Sequence, residues 1–268
     1  MRTLLGNIIQ ANKMFKMIEN NDKIAVGVSG GKDSMCLLLA LSYYKKRLFE
    51  DYGWNIEIIG IHLKMNLCAI DYDPIIKFWE SKGIQFIVEP TQMGEILREH
   101  MKKNKIQCSL CSKMKKSILI ETAKKYNCNK VAMGHHADDA IETLFMNMIN
   151  EGRISTFKPK MYLDRSKMMF IRPLILAREN DIKKAAKNLN LPVVPCGCPM
   201  EGFTQRDSIK LFLKTKIYDN PKTKAAYKNF YISLLNGKQF DMWFYDKDNK
   251  NIVDEDLRDF AINNGKII

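Results

Sequence analysis

Short apolar runs alternate along the chain with longer segments in which apolar residues recur every three or four positions. The short runs end at Gly, Pro or Asn and are typical of buried strands, whereas the longer segments have the spacing of amphipathic helices. We predict strands at 23–30, 54–63, 84–90, 130–136 and 167–174. We predict helices at 33–46, 73–83, 112–127, 138–150, 178–190, 204–218 and 223–235.

Strands that alternate with helices of this length predict an α/β fold with a mostly parallel, doubly wound sheet covered on both faces. The ligand site of such a fold lies at the carboxyl ends of the strands. After residue 200 the pattern becomes helical. We therefore expect one large domain over residues 1–200 and a helical extension over 201–268, packed on the same domain. The tail from Gly237 has no pattern that we can assign.

The 268 residues carry a net charge of +13, and the positive charge is clustered. Between Arg98 and Lys125 nine Lys and Arg residues accompany two Glu. Such clusters favour a polyanion partner over merely solvated helix faces. The longest apolar run is far shorter than the ~20 residues of a membrane span, and the first 20 residues lack the pattern of a secretion signal. We expect no membrane contact and a cytoplasmic location.

The stretch SGGKDS (residues 29–34, the glycine loop) joins the first predicted strand to a helix. It is not a Walker A loop, because Val26 and Asp33 stand where that motif needs Gly and Ser or Thr. Glycine N–H groups, the helix N-terminus, Lys32 and the hydroxyls of Ser29 and Ser34 can bind an anion. Asp33 would repel a bare phosphate, so we expect it to hold Mg²⁺ or orient the loop. A glycine turn with a capping Asp-Ser is the structural alternative.

The stretch GHHADD (residues 134–139, the histidine loop) follows the fourth predicted strand and should reach the same edge of the sheet. His135, His136, Asp138 and Asp139 could ligate Zn²⁺, but neighbouring strand residues point to opposite faces. The structural alternative is a helix N-cap formed by one of the aspartates, with packed histidines. Beside a phosphate loop, we favour a carboxylate that positions Mg²⁺ or the ribose of a nucleotide.

Seven cysteines without an export signal favour a metal or redox role over disulfides. Cys108 and Cys111 form a C-x-x-C motif just before a basic helix, which alone is ambiguous among zinc, a redox dithiol and an iron–sulfur cluster. Cys196 and Cys198 offer one or two more ligands, and three cysteines would suit a cluster with one exposed iron. We interpret the remaining thiols as ordinary core or surface residues: Cys36, Cys68 and Cys128.

The glycine loop resembles the PP-loop of ATP pyrophosphatases, which it matches without a gap. Those enzymes cleave ATP to AMP and pyrophosphate and activate a carbonyl oxygen by adenylation. The histidine loop resembles the G-H-H-x-D-D motif of tRNA-modifying members, where it borders the ATP site. The resemblance implies an adenine nucleotide alpha hydrolase-like fold, with ATP and Mg²⁺ as cofactors. It implies these ATP-binding residues: Ser29, Gly30, Gly31, Lys32, Asp33, Ser34, His135, Asp138 and Asp139.

The two loops together with CSLCSKMKKSIL, TLFMNM, IRPL and REND resemble the bacterial tRNA 2-thiocytidine synthetases over roughly residues 20–210. That family holds a [4Fe-4S] cluster on its C-x-x-C cysteines and a third cysteine, which implies Cys108 and Cys111. The segment PCGCPMEGFTQR is one residue shorter than the family's pattern. Counting back from Gln205 and Arg206, Cys198 takes the position of the third ligand, whereas counting forward from Pro195, Cys196 takes the place of the other cysteine in the pattern. We choose Cys198.

This resemblance implies ATP-dependent tRNA thiolation, in which the C2 oxygen of the anticodon-loop cytidine at position 32 is adenylated and replaced by a cluster-bound sulfide. Lys32 and Asp33 would be catalytic, and Lys115 would face the adenylated base. The implied partners are tRNA, a sulfur donor (a cysteine desulfurase or inorganic sulfide) and a second copy in a homodimer. Three alternatives stay open: thiolation of another base as in 2-thiouridine synthesis, a cluster-free PP-loop ligase or amidotransferase, and a zinc-bearing nucleic-acid binder.

Overall fold

The computed structural model describes residues 1–66, 71–101, 106–194, 198, 202, 204–223 and 225–235. The helices are α1 (Arg2–Phe15), α2 (Lys32–Tyr52), α3 (Asp73–Ser81), α4 (Met93–Glu99), α5 (Cys108–Lys125), α6 (Ala137–Glu151), α7 (Glu179–Asn188), α8 (Gln205–Phe212) and α9 (Ala226–Leu235). The strands are β1 (Lys23–Gly27), β2 (Glu57–Lys64), β3 (Gln85–Pro90), β4 (Lys130–Ala132), β5 (Lys160–Leu163) and β6 (Met168–Ile171). A π-helical turn (Leu213–Tyr218) and a 3-10 turn (Pro221–Thr223) lie between α8 and α9.

The strands form one sheet in the order β3-β2-β1-β4-β6-β5. All neighbouring pairs are parallel except β5, which runs antiparallel to β6 at the edge. Ile24 in β1 lies opposite Ile58 on one side and Lys130 on the other. The predicted mostly parallel sheet is therefore confirmed. The strand order reverses direction at β1, which places the ligand crevice of this fold class at the carboxyl ends of β1 and β4.

The core lies on both faces of this sheet because the central strands are apolar on both sides. In β1, Ile24 and Val26 contribute to one hydrophobic cluster and Ala25 to a second. The first cluster includes the wholly buried segment 35–41 of α2, which packs between the sheet and the helices α1 and α7. The second includes Leu119 of α5. Within the described ranges, no helix is both long enough and apolar enough to cross a bilayer.

Three elements were not predicted from the sequence: α1, α4 and β5. The helix α1 buries Leu4, Ile8, Ala11 and Phe15, a spacing that the N-terminal sequence carries but that we did not interpret as a helix. The hairpin β5–β6 ends at Ile171, three residues earlier than the predicted strand. The predictions for Cys68, Cys196 and the tail from Gly237 fall on residues outside the described ranges.

Candidate active site

The glycine loop and the histidine loop lie against each other at the carboxyl ends of β1 and β4. A β-carbon built on Gly134 would lie 3.1 Å from the backbone nitrogen of Ser34 and 3.2 Å from the carbonyl carbon of Asp33. The two backbones thus approach as closely as a residue without a side chain allows. The sequence analysis expected both loops at one edge of the sheet, and the structure brings them into direct contact.

The serines of the glycine loop hold its shape. The hydroxyl of Ser34 accepts a hydrogen bond from the backbone N–H of Ser29 (3.1 Å) and donates one to the carbonyl oxygen of Gly31 (3.0 Å). The backbone N–H of Gly31 in turn donates to the hydroxyl of Ser29 over 3.3 Å. Gly30 has a φ of +87°, a conformation that glycine adopts without strain. The loop is thus a rigid cradle that ends at the N-terminus of α2, where an anion is stabilised.

Lys32 and Asp33 form the charged part of the glycine loop. The Nζ atom of Lys32 lies 3.0 Å from Oδ2 of Asp33 and 3.1 Å from Oε1 of Glu179. Burial lowers the pKa of Lys32, but the charges of the two carboxylates outweigh burial and leave this pKa raised. Lys32 is therefore a cation in the site across the physiological range of pH.

The second carboxylate oxygen of Asp33 has a different environment. Oδ1 is buried and has no hydrogen-bond partner among the described residues. Nε2 of His136 lies 3.8 Å away, which is too far for a hydrogen bond. A buried carboxylate oxygen without a partner is a suitable ligand for Mg²⁺, which usually combines one or two carboxylates with substrate phosphates. The chemistry of the residues present therefore fits a magnesium ion at Asp33.

The histidine loop caps α6 differently from the structural alternative considered in the sequence. The N-cap residue is His136 and not one of the aspartates. Its Nδ1 accepts from the backbone N–H of Asp139 (3.4 Å), and Oδ2 of Asp139 accepts from the backbone N–H of His136 (3.0 Å). This reciprocal arrangement is a capping box, with a histidine in place of the usual Ser or Thr. An imidazole nitrogen can replace a hydroxyl here because the cap needs only an acceptor.

Both aspartates of this loop bind the helices that follow. Oδ2 of Asp138 accepts from the backbone N–H of Glu179 (2.8 Å) and from the hydroxyl of Tyr227 (3.2 Å). Oδ1 of Asp139 lies 3.2 Å from Nη1 of Arg206. The described contacts therefore assign these carboxylates to the attachment of α7, α8 and α9. Contacts to a nucleotide, which the sequence analysis expected of them, remain a prediction.

His135 is a neutral packing residue in this structure. Its ring lies 5.0 Å from the ring of Phe157. Burial, with a smaller effect from the nearby charge of Arg172, lowers the pKa of His135 to about 4. The guanidinium of Arg172 also lies over the Phe157 ring, 4.8 Å from its centre. Direct contact of His135 with ATP remains a prediction.

Several charged residues near the glycine loop were not singled out from the sequence. Glu179, the first residue of α7, is contacted by lysines from three different segments. Glu142 in α6 is buried, and burial, followed by the charge of Asp139, raises its pKa to about 7. The motif REND contains Glu179, but two of its three lysine partners, Lys32 and Lys210, lie on other elements, so local patterns gave no signal for the cluster.

The C-x-x-C cysteines lie inside α5 and not before it. Cys108 is the first helical residue and is exposed, whereas Cys111 is buried one turn later beside Met93 and Leu97. Thiolates at a helix N-terminus are suitable ligands for an iron–sulfur cluster. Cys198 is half-buried, and most of its neighbours lie outside the described ranges. Within those ranges, no group of three or more His, Cys, Asp or Glu side chains is gathered for a metal. The donor chemistry fits a cluster, and the third ligand is not placed.

Lys115 lies close to His62 at the end of β2. Burial lowers the pKa of His62 at the end of β2, and the nearby charge of Lys115 lowers it further. Nδ1 of His62 donates to the carbonyl oxygen of Val28, the residue before the glycine loop, over 2.8 Å. The helix α5 thus carries Lys115 and the two cysteines toward the end of β2.

Comparisons with known proteins agree with this arrangement. The PP-loop domain family matches residues 6–194, which is more than half of the chain. A tRNA-cytidine(32) 2-sulfurtransferase from Geotalea uraniireducens is 37% identical over 214 residues, which cover 79% of this chain and 83% of the relative. The chain belongs to this sulfurtransferase family. A further member, from Azoarcus sp., is 34% identical over 208 residues that cover 77% of this chain and 67% of the relative.

A solved structure shows the same fold. The U34-tRNA thiolase NcsA from Methanococcus maripaludis, determined with its [4Fe-4S] cluster, has a TM-score of 0.65 over 88% of this chain and 80% of its own. The sequence identity of 23% restricts this likeness to the fold. Membership of the sulfurtransferase family confirms the resemblance that the sequence motifs indicated.

Proposed function

We propose that the protein is an ATP-dependent tRNA sulfurtransferase that replaces the C2 oxygen of the cytidine at tRNA position 32 by sulfur, forming AMP and pyrophosphate. Family membership supports the reaction and the substrate. The observation that carries the proposal is the pair of Lys32 and Asp33 beside the glycine loop, in which one carboxylate oxygen of Asp33 is buried and has no hydrogen-bond partner among the described residues. The C2 oxygen must be adenylated because oxide is a poor leaving group. Adenylation in turn requires a site that binds the phosphates of ATP.

In this proposal the glycine loop binds the β- and γ-phosphates of ATP. Its N–H groups, the N-terminus of α2 and the ammonium of Lys32 stabilise the charge that develops on the leaving pyrophosphate. Asp33 would hold Mg²⁺, which neutralises phosphate charge in the transition state. Asp138 and Asp139 would hold the histidine loop in place, and this side of the site would bind the ribose.

Cys108, Cys111 and Cys198 would hold a [4Fe-4S] cluster, with Cys108 accessible at the start of α5. When bound, the cluster supplies the sulfur that replaces the base oxygen. Lys115, on the same helix as two of these cysteines, would face the adenylated base. The base must leave any stack to enter such a site, which suits the single-stranded loop of a tRNA.

The same proposal includes the partners, the domain organisation and the cellular location. The net charge of +13 suits tRNA, and a cysteine desulfurase or inorganic sulfide would supply sulfur. Residues 1–200 would form the ATP pyrophosphatase domain and 201–268 an extension packed on it. The contact of Arg206 with Asp139 supports this packing for α8. A homodimer in the cytoplasm completes the proposal.

Nucleoside analysis tests the reaction directly. Mass spectrometry of tRNA nucleosides from a deletion strain should show that 2-thiocytidine is missing and that it returns on complementation. Loss of a 2-thiouridine instead would indicate a different base, and an unchanged nucleoside profile would favour a PP-loop ligase or amidotransferase.

Anaerobic purification tests the cofactor. The protein should be brown, absorb at about 400 nm and contain ~4 iron atoms per chain. Cys108→Ser should lose the iron and thiolation while retaining ATP binding, whereas Cys128→Ser, which replaces a buried thiol of the core, should retain all three. A wild-type protein that stays colourless after anaerobic reconstitution would contradict a cluster and would leave the ATP site untouched.

A further inference from the structure

One carboxylate beside the glycine loop is surrounded by three ammonium groups. The side chain of Glu179 is only 10% exposed. Its Oε1 atom lies 3.1 Å from Nζ of Lys32 and 2.7 Å from Nζ of Lys210, and its Oε2 atom lies 3.1 Å from Nζ of Lys183. Lys32 comes from the glycine loop, Lys183 from α7 and Lys210 from α8. Residues far apart in the sequence thus place an excess of positive charge at one point.

Glu179 is ionised in this cluster. Burial alone would raise the pKa of its carboxyl group, but the hydrogen bond from Lys210 and the charge of Lys32 outweigh burial and lower this pKa to about 2. A single negative charge faces three positive charges, so two remain uncompensated by Glu179. Asp33 neutralises part of this excess through its contact with Lys32. The remainder is available to an anion at the glycine loop.

The position of Lys210 relative to Lys32 decides which anion this is. Both ammonium groups bind the same oxygen atom, so their nitrogens are separated by no more than the sum of the two contact distances, 3.1 and 2.7 Å. Two cations that share a carboxylate oxygen can equally share the oxygens of one phosphate group. The side chain of Lys210 is 44% exposed, so it retains a face that a ligand can approach.

The backbone that carries Lys210 is fixed to the histidine loop. Nη1 of Arg206, one helical turn earlier in α8, lies 3.2 Å from Oδ1 of Asp139, and Nη2 donates to the hydroxyl of Thr143 over 3.1 Å. Because Asp139 belongs to the loop that packs on Asp33 and Ser34, the start of α8 and the glycine loop share one rigid support.

We propose that Lys210 is a second phosphate-binding cation of the ATP site, which binds the β- or γ-phosphate together with Lys32. This inference rests on the proposed use of ATP at the glycine loop. Glu179 holds both lysines at the separation that one phosphate group requires before ATP arrives. The helix α8, which follows the segment of the third cysteine, thereby becomes part of the ATP site.

The test compares nucleotides that differ only in these phosphates. Dissociation constants for Mg-ATP, AMP and pyrophosphate are measured by calorimetry on the full chain. Lys210→Met retains the aliphatic stem and should weaken ATP and pyrophosphate by about 10-fold or more, with AMP changed less than about 2-fold. Lys210→Arg retains the charge and should recover most of the loss. Lys184→Met removes an exposed charge from α7 and should match the wild type.

Two outcomes would overturn the assignment of Lys210. Equal losses for ATP and AMP in Lys210→Met would show that the residue only supports the fold of the site. Unchanged ATP affinity with weakened tRNA binding would assign Lys210 to a tRNA phosphate. A wild-type protein that binds ATP but leaves cytidine unmodified would contradict the proposed function alone, because the ratio of ATP to AMP affinity does not depend on the thiolated base.

Discussion

Val194 donates its backbone N–H to the carbonyl oxygen of Gly30 over 3.1 Å. The side chain of Val194 also fills the space that a β-carbon on Gly30 would occupy. Val194 is therefore held directly against the glycine loop. Val194 precedes Cys196 and Cys198 by only a few residues, although these cysteines are more than 160 residues from the glycine loop in the sequence.

Gly30→Ala should damage the loop in two ways. The φ of +87° is unfavourable for alanine, and the added methyl group would collide with Val194. Together these effects should lower the free energy of unfolding by about 2–4 kcal/mol. They should also weaken ATP binding, because the loop must move to relieve the collision. Urea unfolding and ATP calorimetry measure the two effects.

Gly53→Ala separates the two causes. Gly53 ends α2 with a φ of +66° and has open space around a built β-carbon. In this variant the free energy of unfolding should fall only by the cost of the unfavourable φ, about 1 kcal/mol, and ATP binding should be normal. Equal losses of stability in the two variants would show that the contact with Val194 imposes no additional constraint.

The cysteines should differ sharply in reactivity in the cluster-free protein. Cys108 is exposed at the first position of α5, so a thiol reagent can reach it. Burial raises the pKa of Cys36 to about 12 and that of Cys128 to about 11. Iodoacetamide at pH 8, followed by peptide mass spectrometry, should therefore modify Cys108 first and leave Cys36 and Cys128 unmodified in the folded protein.

Cluster assembly should abolish this difference in reactivity. If Cys108 is a ligand, anaerobic reconstitution with iron and sulfide should protect it from iodoacetamide while the buried thiols stay unmodified. Rapid alkylation of Cys108 in a brown, iron-loaded protein would remove it from the ligand set. The comparison is internal to one sample, so it does not depend on the activity of the enzyme.

The sequence predicted the fold and the two loops because these signals are local. The run from Lys23 to Gly27 and the glycines after it are contiguous, and parallel strands bring their carboxyl ends to one edge. The cluster around Glu179 was missed because Lys32 and Lys210 lie on other elements, Lys210 at a distance of 31 residues in the sequence and Lys32 much farther away. The cap of α6 was assigned to an aspartate because histidine is not among the usual N-cap residues, although its Nδ1 accepts in the same way.

Arg206 should couple the C-terminal helices to the histidine loop. Its guanidinium contacts Asp139 through Nη1 and Thr143 through Nη2. A double-mutant cycle with Arg206→Met and Asp139→Asn should give a coupling free energy of about 1–2 kcal/mol, measured by urea unfolding. The cycle with Arg206→Met and Thr143→Val should give a smaller coupling free energy, about 0.5–1 kcal/mol, because the hydroxyl of Thr143 is a neutral acceptor.

An exposed ion pair provides the control for this coupling. Arg153 and Glu151 are in contact at 2.7 Å, with 65% and 55% of their side chains exposed. Their cycle should give less than about 0.5 kcal/mol, since water and salt screen such pairs. A coupling between Arg206 and Asp139 as small as this would mean that this ion pair does not help to hold α8.

Glu142 should make the stability of the protein depend on pH. The residue is 4% exposed, and burial, followed by the charge of Asp139, raises its pKa from 4.5 to about 7. Between these two values the folded protein keeps a proton that the unfolded chain has released, so the free energy of unfolding falls as the pH rises through this window. Glu142→Gln cannot ionise and should escape this loss. It should be more stable than the wild type by about 1–3 kcal/mol at pH 8 and equal to it near pH 4.5.

Urea unfolding at both pH values measures the difference. Glu50→Gln, which changes an exposed residue of α2, should shift stability by less than about 0.5 kcal/mol at either pH. If the advantage of Glu142→Gln were the same at pH 4.5 and pH 8, it would come from packing and not from ionisation.

A carboxyl group that titrates near neutrality beside Asp139 would also alter the charge around Lys210 and Arg206. ATP affinity should then change through the same window in the wild type but not in Glu142→Gln.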